Sequence, residues 1–177
     1  MPNEPTPAVR RLVEFLGTAV DADGDVLRDE RRTRDWCRAH DLDPGRRAFA
    51  PDDLVRLRAL RTGLRAAIGA PEAAAGRRLG TLARRLHFGV ALGPTGPALI
   101  PAGTGADGVV GRILLDAVAA GTSGAWSRIR PCGAPACERV FVDTTRSGNR
   151  TWCDMATCGN RTKVRAHRAR TRAGASR

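Results

Sequence analysis

At 177 residues with a formal charge of +12 and a pI near 11.3, the chain has the length of one ordinary domain plus a small appendage, and a positive excess that attracts polyanions. No apolar run approaches the roughly 18 residues of a membrane span, and Met1-Pro2-Asn3-Glu4 lacks the basic and apolar regions of a secretion signal, so the expectation is a cytoplasmic protein with no membrane partner. Lys163 is the only lysine in an Arg-, Ala- and Gly-rich sequence, so the placement of the cations carries more information than their total.

Val9, Leu12, Val13, Leu16 and Val20 recur at helical spacing and predict a helix over 9–20 after a polar, Pro-rich lead. The stretch 21–25, with Gly24, breaks it. Residues 30–40 predict a short helix presenting Trp36 and Cys37, and Asp41-Leu42-Asp43-Pro44-Gly45 then predicts a turn. Ala50-Pro51-Asp52-Asp53 opens the clearest helix, because Pro suits the first turn and two acids complement the dipole. Its buried stripe is expected to be Leu54, Leu57, Leu60, Leu64 and Ile68, with Arg56, Arg58, Arg61 and Arg65 outside it. Gly69-Ala70-Pro71 stops that helix, and another is expected over 72–85. The period then changes: 87–92 and 98–100 predict two short strands around Gly93-Pro94-Thr95-Gly96-Pro97, before helix returns over 107–120. Gly121-Thr122-Ser123-Gly124 marks a break.

These elements predict a mainly α N-terminal domain with one β-hairpin over residues 1–125. Nothing in it has the pattern of a catalytic site. His40 and His87 are isolated, no nucleophile elbow or phosphate loop occurs, and Gly103, Gly105, Gly108 and Gly111 do not follow a strand in the dinucleotide pattern. The expectation is therefore a protein that is not an enzyme and has no cofactor loop. Cys37, beside Trp36 on a helix, is expected to be a packed small apolar group rather than a redox sensor. Two roles stay open for this domain: sensing a small-molecule effector through a pocket between hairpin and helices, or dimerisation.

Residues 126–177 differ in kind. Cys132-x4-Cys137-x15-Cys153-x4-Cys158 sets two cysteine pairs at equal spacing, the pattern of a tetrahedral structural Zn²⁺ site. The segment is too short to bury a core of its own, and a metal supplies one. Two disulfides in an exported protein are the weaker reading, since the fifth cysteine has no partner and no secretion signal is present. The loop Cys132-Gly133-Ala134-Pro135-Ala136-Cys137 can turn both sulfurs inward. Residues 139–143 predict a strand, with 150–152 returning beside it as a hairpin around Ser147-Gly148-Asn149, and Phe141 and Trp152 packing on the metal. Cys153 and Cys158 are five apart and cannot stack on one face of a regular helix, so one belongs just before a helix and the other in its first turn, with Asp154 as N-cap. This is the order of a treble clef; a zinc ribbon, with Asn160 capping a later helix, is the alternative. Ser at Cys153 or Cys158 is expected to unfold the chain after about residue 130.

From residue 128 onward twelve Arg or Lys face three acids, whereas residues 1–127 carry eighteen cations and fifteen acids. Beyond Gly159 a basic helix is expected in which Arg161, Arg165, Arg168 and Arg172 share one face, with Lys163, His167 and Arg170 on another. Arginine forks match phosphate and guanine edges, and a duplex groove accepts a helix, so DNA is the expected partner. Arg150, Asn160, Arg161, Lys163, Arg165, Arg168 and Arg172 are the candidate DNA contacts; Arg161, Arg165, Arg168 and Arg172 are expected to give mainly phosphate contacts, and Asn160 and Arg161, at the helix start, are the best candidates for bases. For Asn160, a helix cap or a donor to a zinc thiolate is the competing role. A zinc-stabilised protein- or RNA-interaction module is the alternative function.

The segment from Cys132 to Arg170, centred on Cys158-Gly159-Asn160-Arg161 and including Phe141-Val142-Asp143, Arg150-Thr151-Trp152-Cys153, Met155-Ala156-Thr157 and Lys163, closely resembles the CGNR zinc finger of bacterial proteins. Such fingers commonly follow an ABATE domain, and Leu12-Val13-Glu14-Phe15-Leu16-Gly17-Thr18 resembles the opening of that domain, with Glu14 where Asp and Gly17 where Asn is expected. The resemblance implies a stress-linked transcription regulator with zinc on the four cysteines and DNA as target.

Overall fold

A computed structural model describes residues 4–20, 24–69, 73–94, 96–135 and 137–175. The expected breaks at 21–25 and at Gly69-Ala70-Pro71 fall partly outside those residues, as does Thr95 in the hairpin turn. The N-terminal region is mainly helical and carries one hairpin; a second small hairpin and the four-cysteine cluster complete the fold.

Helix α1 (Pro7–Gly17) starts where Pro7 needs no amide partner and Thr6 Oγ1 accepts the Val9 amide at 3.4 Å. It ends in a 3₁₀ turn over Thr18–Val20. Helix α2 (Glu30–Ala39) is capped by Asp29, which accepts the Arg32 amide at 2.7 Å. Helices α3 (Pro51–Gly69) and α4 (Ala73–Ala83) follow, then strands β1 (Phe88–Gly93) and β2 (Gly96–Pro101), paired antiparallel, and α5 (Gly105–Thr122). The core is built where α1, α3 and α5 meet: Leu12, Phe15 and Leu16 pack with Leu57, Leu60, Leu64, Val109, Val110 and Ile113, all fully buried. Each such side chain contributes roughly 1.5–3 kcal/mol of transfer free energy. Cys37 joins this core, and burial pushes its thiol up to about 12 despite Arg34 and Arg38, which makes it an inert packing group.

Two expectations need correction. Arg61 does not sit outside the α3 stripe. Its side chain is buried, and its fork meets both Asp25 carboxylate oxygens at 2.6 Å and Thr18 Oγ1 at 2.9 Å. An isolated helix pattern cannot reveal this, because the acid that pays for burying Arg61 comes from a loop 36 residues earlier. The second concerns the zinc-segment hairpin. Strand β4 (Val140–Val142) pairs not with 150–152 but with β3 (Ile129–Pro131), before the first ligand pair. Ile129 and Val140 are buried in the helical core, so apolar burial selects this pairing and fastens the hairpin to α1 and α3. No helix among the described residues is long and apolar enough to cross a membrane.

Candidate metal centre and nucleic-acid interface

The loop between β3 and β4 carries the first ligand pair. Its bend is held by the Cys132 amide on the Arg139 carbonyl and the Cys137 amide on the Ala134 carbonyl, both at 2.9 Å. Amides of Ala134 and Arg139 point back at the Cys132 and Cys137 sulfurs. The second pair is placed by a π-turn over Met155–Gly159, in which the Gly159 amide donates to the Asp154 carbonyl at 3.1 Å. Cys153 precedes the extended cap residue Asp154 while Cys158 lies within the π-turn, so the two sulfurs meet across the start of the helix rather than along one of its faces. Asp154 is the N-cap, accepting the Thr157 amide and hydroxyl at 2.7 Å each, and these hydrogen bonds hold its carboxyl below the usual range. Helix α6 (Asn160–Ala175) continues directly from the turn. Asn160 has helical backbone angles, so α6 follows without a second knuckle, and the ligand order is that of a treble clef rather than a ribbon.

The four sulfurs of Cys132, Cys137, Cys153 and Cys158 lie within 4.8 Å of one another, and Cys153 Sγ stands 3.7 Å from both Cys137 and Cys158. A tetrahedron with metal–sulfur bonds of about 2.3 Å has edges of about 3.8 Å, so the donor set fits one Zn²⁺. Burial raises the Cys132 thiol, but the Cys153 amide at 3.4 Å, with the Ala134 amide and two neighbouring thiols, brings it down to about 7. Burial and the adjoining thiols push Cys153 well above its ordinary value, and burial also raises Cys137. Four thiolates this close repel one another, and a divalent cation converts that conflict into binding.

Two further residues organise the site. Gly159 packs tightly: a Cβ there would lie 2.5 Å from Met155 Sδ and 3.3 Å from the Trp152 ring, so a larger residue would have to push the exposed Met155 side chain aside. Asp143, almost fully buried, accepts the amides of Thr145 and Arg150 and the Thr145 hydroxyl, tying β4 to the chain returning toward Cys153. Burial acts to raise its carboxyl, but these donors and Arg130 outweigh it and hold it below the usual range. Asp143 was not singled out from sequence as functional, although an Asp two residues before a Thr is the signature of a side-chain-closed turn.

The candidate DNA contacts separate into two groups. Arg150 turns inward: its guanidinium donates to the carbonyls of Trp152 and Cys153 and lies 5.1 Å from the centre of the Phe141 ring. Asn160, Arg161, Lys163, Arg165 and Arg168 are all exposed on α6. The Asn160 side chain has no hydrogen-bond partner among the described residues, so neither competing role is visible there. Lys163 Nζ lies 5.8 Å from the centre of the Trp152 ring, which turns the opposite face, bearing Arg161, Arg165 and Arg168, away from the zinc site. The backbone of Arg172 continues α6, while its side chain lies outside the described residues. Several arginines of the helical domain are instead tied to the body: Arg11 to Asp116, Arg56 to Asp107, Arg58 to the Leu27 carbonyl and Arg65 to that of Leu16, while Arg77, Arg78, Arg84 and Arg85 are exposed. Among the described residues no cation of α6 has an acidic partner. At the start of the domain, Glu14 approaches His40 Nε2 at 3.2 Å, and a side chain at Gly17 would meet open space.

The CGNR zinc finger model matches residues 128–171. The ABATE model, whose description is "Putative stress-induced transcription regulator", matches residues 10–126. No curated protein matches the chain. The ABATE match alone spans about two thirds of the sequence, so the chain belongs to the ABATE family, with a CGNR zinc finger as its C-terminal part.

Proposed function

We propose that the protein is a DNA-binding transcriptional regulator of the cytoplasm, in which a structural Zn²⁺ fixes the start of α6 and the Arg161, Arg165 and Arg168 face of that helix lies against the phosphates of a duplex. The observation that carries this reading is the exposed, acid-free face of α6: Arg161, Arg165 and Arg168 are open to solvent, no cation of α6 has an acidic partner among the described residues, and Lys163 beside Trp152 turns this face away from the zinc site. The family's description as a regulator of transcription supports it. Zinc here is architectural. Four cysteine ligands close the coordination shell, leaving no position for water or substrate, so the reading includes no enzymatic activity.

The test is fluorescence anisotropy of the zinc-loaded full chain on labelled duplexes across a salt series. Three phosphate contacts predict a slope of log K against log salt of about −2.7, and Arg165→Ala should bring it about 0.9 closer to zero on every sequence. Arg150→Ala should leave the slope alone and lower stability instead, because its fork holds two carbonyls beside the metal site. Absence of binding to any duplex at near-physiological salt would sink the DNA reading and leave a zinc-stabilised protein- or RNA-interaction module.

A further inference from the structure

The β1–β2 hairpin has no charged side chain. Between Arg85 and Asp107 there is no Asp, Glu, Lys or Arg, in a chain that is 27% charged. Its pairing sets Val90 opposite Leu99 and Leu92 opposite Pro97, so Phe88, Val90, Leu92 and Leu99 lie on one face, backed by Gly89 and Ala91 on the other. That face is open to solvent: Phe88 is 39% exposed, Val90 66%, Leu92 84% and Leu99 55%. It runs on into a groove of about 640 Å³ between the hairpin and α3, α4 and α5, where Phe88 and Leu99 meet Leu64, Leu79, Leu114 and Trp126. Val118 of α5, 57% exposed, borders the same groove. Solvent-facing hairpins normally protect their edges with charges, and this one does not.

We infer that this surface is a homodimer interface, in which the hairpin face of one copy covers the groove and hairpin of a second. Two considerations select a second copy. The first is chemistry: with no charge from Leu86 to Ala106, the surface offers nothing to an acidic or basic partner and is complementary to an uncharged apolar face, which this chain itself presents. Hairpin and groove are adjacent parts of one continuous surface, as a two-fold, self-complementary interface requires. The second is area. At these exposures Phe88, Val90, Leu92, Leu99 and Val118 offer on the order of 500 Å² of apolar surface, which is the non-polar share of the roughly 800 Å² that each partner contributes to a standard interface. The net charge of +12 does not oppose the pairing here, because most of the excess lies beyond residue 127. The inference is independent of DNA binding.

Sedimentation velocity on the zinc-loaded full chain, from about 1 to 100 µM, tests it. The expected result is a concentration-dependent species of twice the 18.9 kDa chain mass. Leu92→Asp, at a side chain that supports little of the monomer, should weaken dimerisation by about 100-fold, as an unpaired charge at an interface centre does, without changing the circular-dichroism melt of the dilute protein. Val90→Asp should act alike, while Val55→Asp, an exposed apolar position of α3 outside the groove lining, should leave the dimer intact. The inference is overturned by a wild-type chain that stays monomeric throughout, by a dimer that survives both hairpin substitutions, or by equal effects of Leu92→Asp and Val55→Asp. Saturable binding of a small apolar dye to a strictly monomeric chain would assign the groove to a ligand instead.

Discussion

Replacing Cys158 by Ser should melt α6 while the helical domain stands. The substitution removes one of four thiolates, and zinc binding in such fingers is worth roughly 10–16 kcal/mol of coupled folding free energy. What melts is decided by what else holds each part. Helix α6 is 16 residues long and exposed along almost its whole described length, so it has little tertiary packing, and an isolated helix of that size is marginal. Its first turn is continuous with the π-turn carrying Cys158, so losing the metal removes its nucleus. The β3–β4 hairpin is different: Ile129 is 3% exposed and Val140 8%, both within the helical core. Sequence alone extends the loss back to about residue 130, whereas this burial keeps the hairpin and moves the boundary beyond Val142. Since α6 supplies about a fifth of the α-helical residues, the helical circular-dichroism signal should fall by about that fraction. Hydrogen exchange should become fast beyond the hairpin while the amides of β3 and β4 keep their protection. The wild type stripped by a chelator should behave the same way, and metal analysis should give one zinc per chain. Superimposable spectra with and without metal, or complete unfolding of the chain in one transition on zinc removal, would refute the reasoning.

Arg61→Ala should destabilise the helical domain by about 3–5 kcal/mol, because it strands Asp25 beside a buried cavity; at this chain length that is a fall in Tm of roughly 6–20 °C by calorimetry, and a shift under about 2 °C would show the pair to be dispensable. The same pair sets an acid limit. Burial acts to raise the Asp25 carboxyl, but hydrogen bonds from Arg61 and Leu27 and the charges of Arg61 and Arg28 outweigh it and hold it below 3.8. Because the folded value lies under the unfolded one, its stabilisation is complete above about pH 4 and is lost as pH falls through the folded value. In urea titrations the wild type should therefore lose stability below that pH more steeply than Asp25→Asn, and parallel profiles would count against it.

The metal site was legible in the sequence because coordination is a matter of residue type and short spacing. Two cysteine pairs, the Asp154 cap and the need to accommodate a five-residue step at a helix start follow from local chemistry, and the backbone meets that step with Cys153 before the cap and Cys158 within the π-turn. The same holds for the α1, α3 and α5 stripes, whose period is written in Leu12 and Leu16, in Leu57, Leu60 and Leu64, and in Val109, Val110 and Ile113. What only the tertiary structure decided is where partners distant in sequence meet. Arg61 is indistinguishable from its exposed neighbours until Asp25 and Thr18 are brought beside it, and three-residue strands such as β3 carry too little pattern to announce their pairing. Arg150 and Arg165 are equally basic in the sequence. One is turned in upon Trp152 and Cys153 and the other out to solvent, because the chain entering the π-turn leaves carbonyls that need donors while those in the interior of α6 are already bonded within the helix.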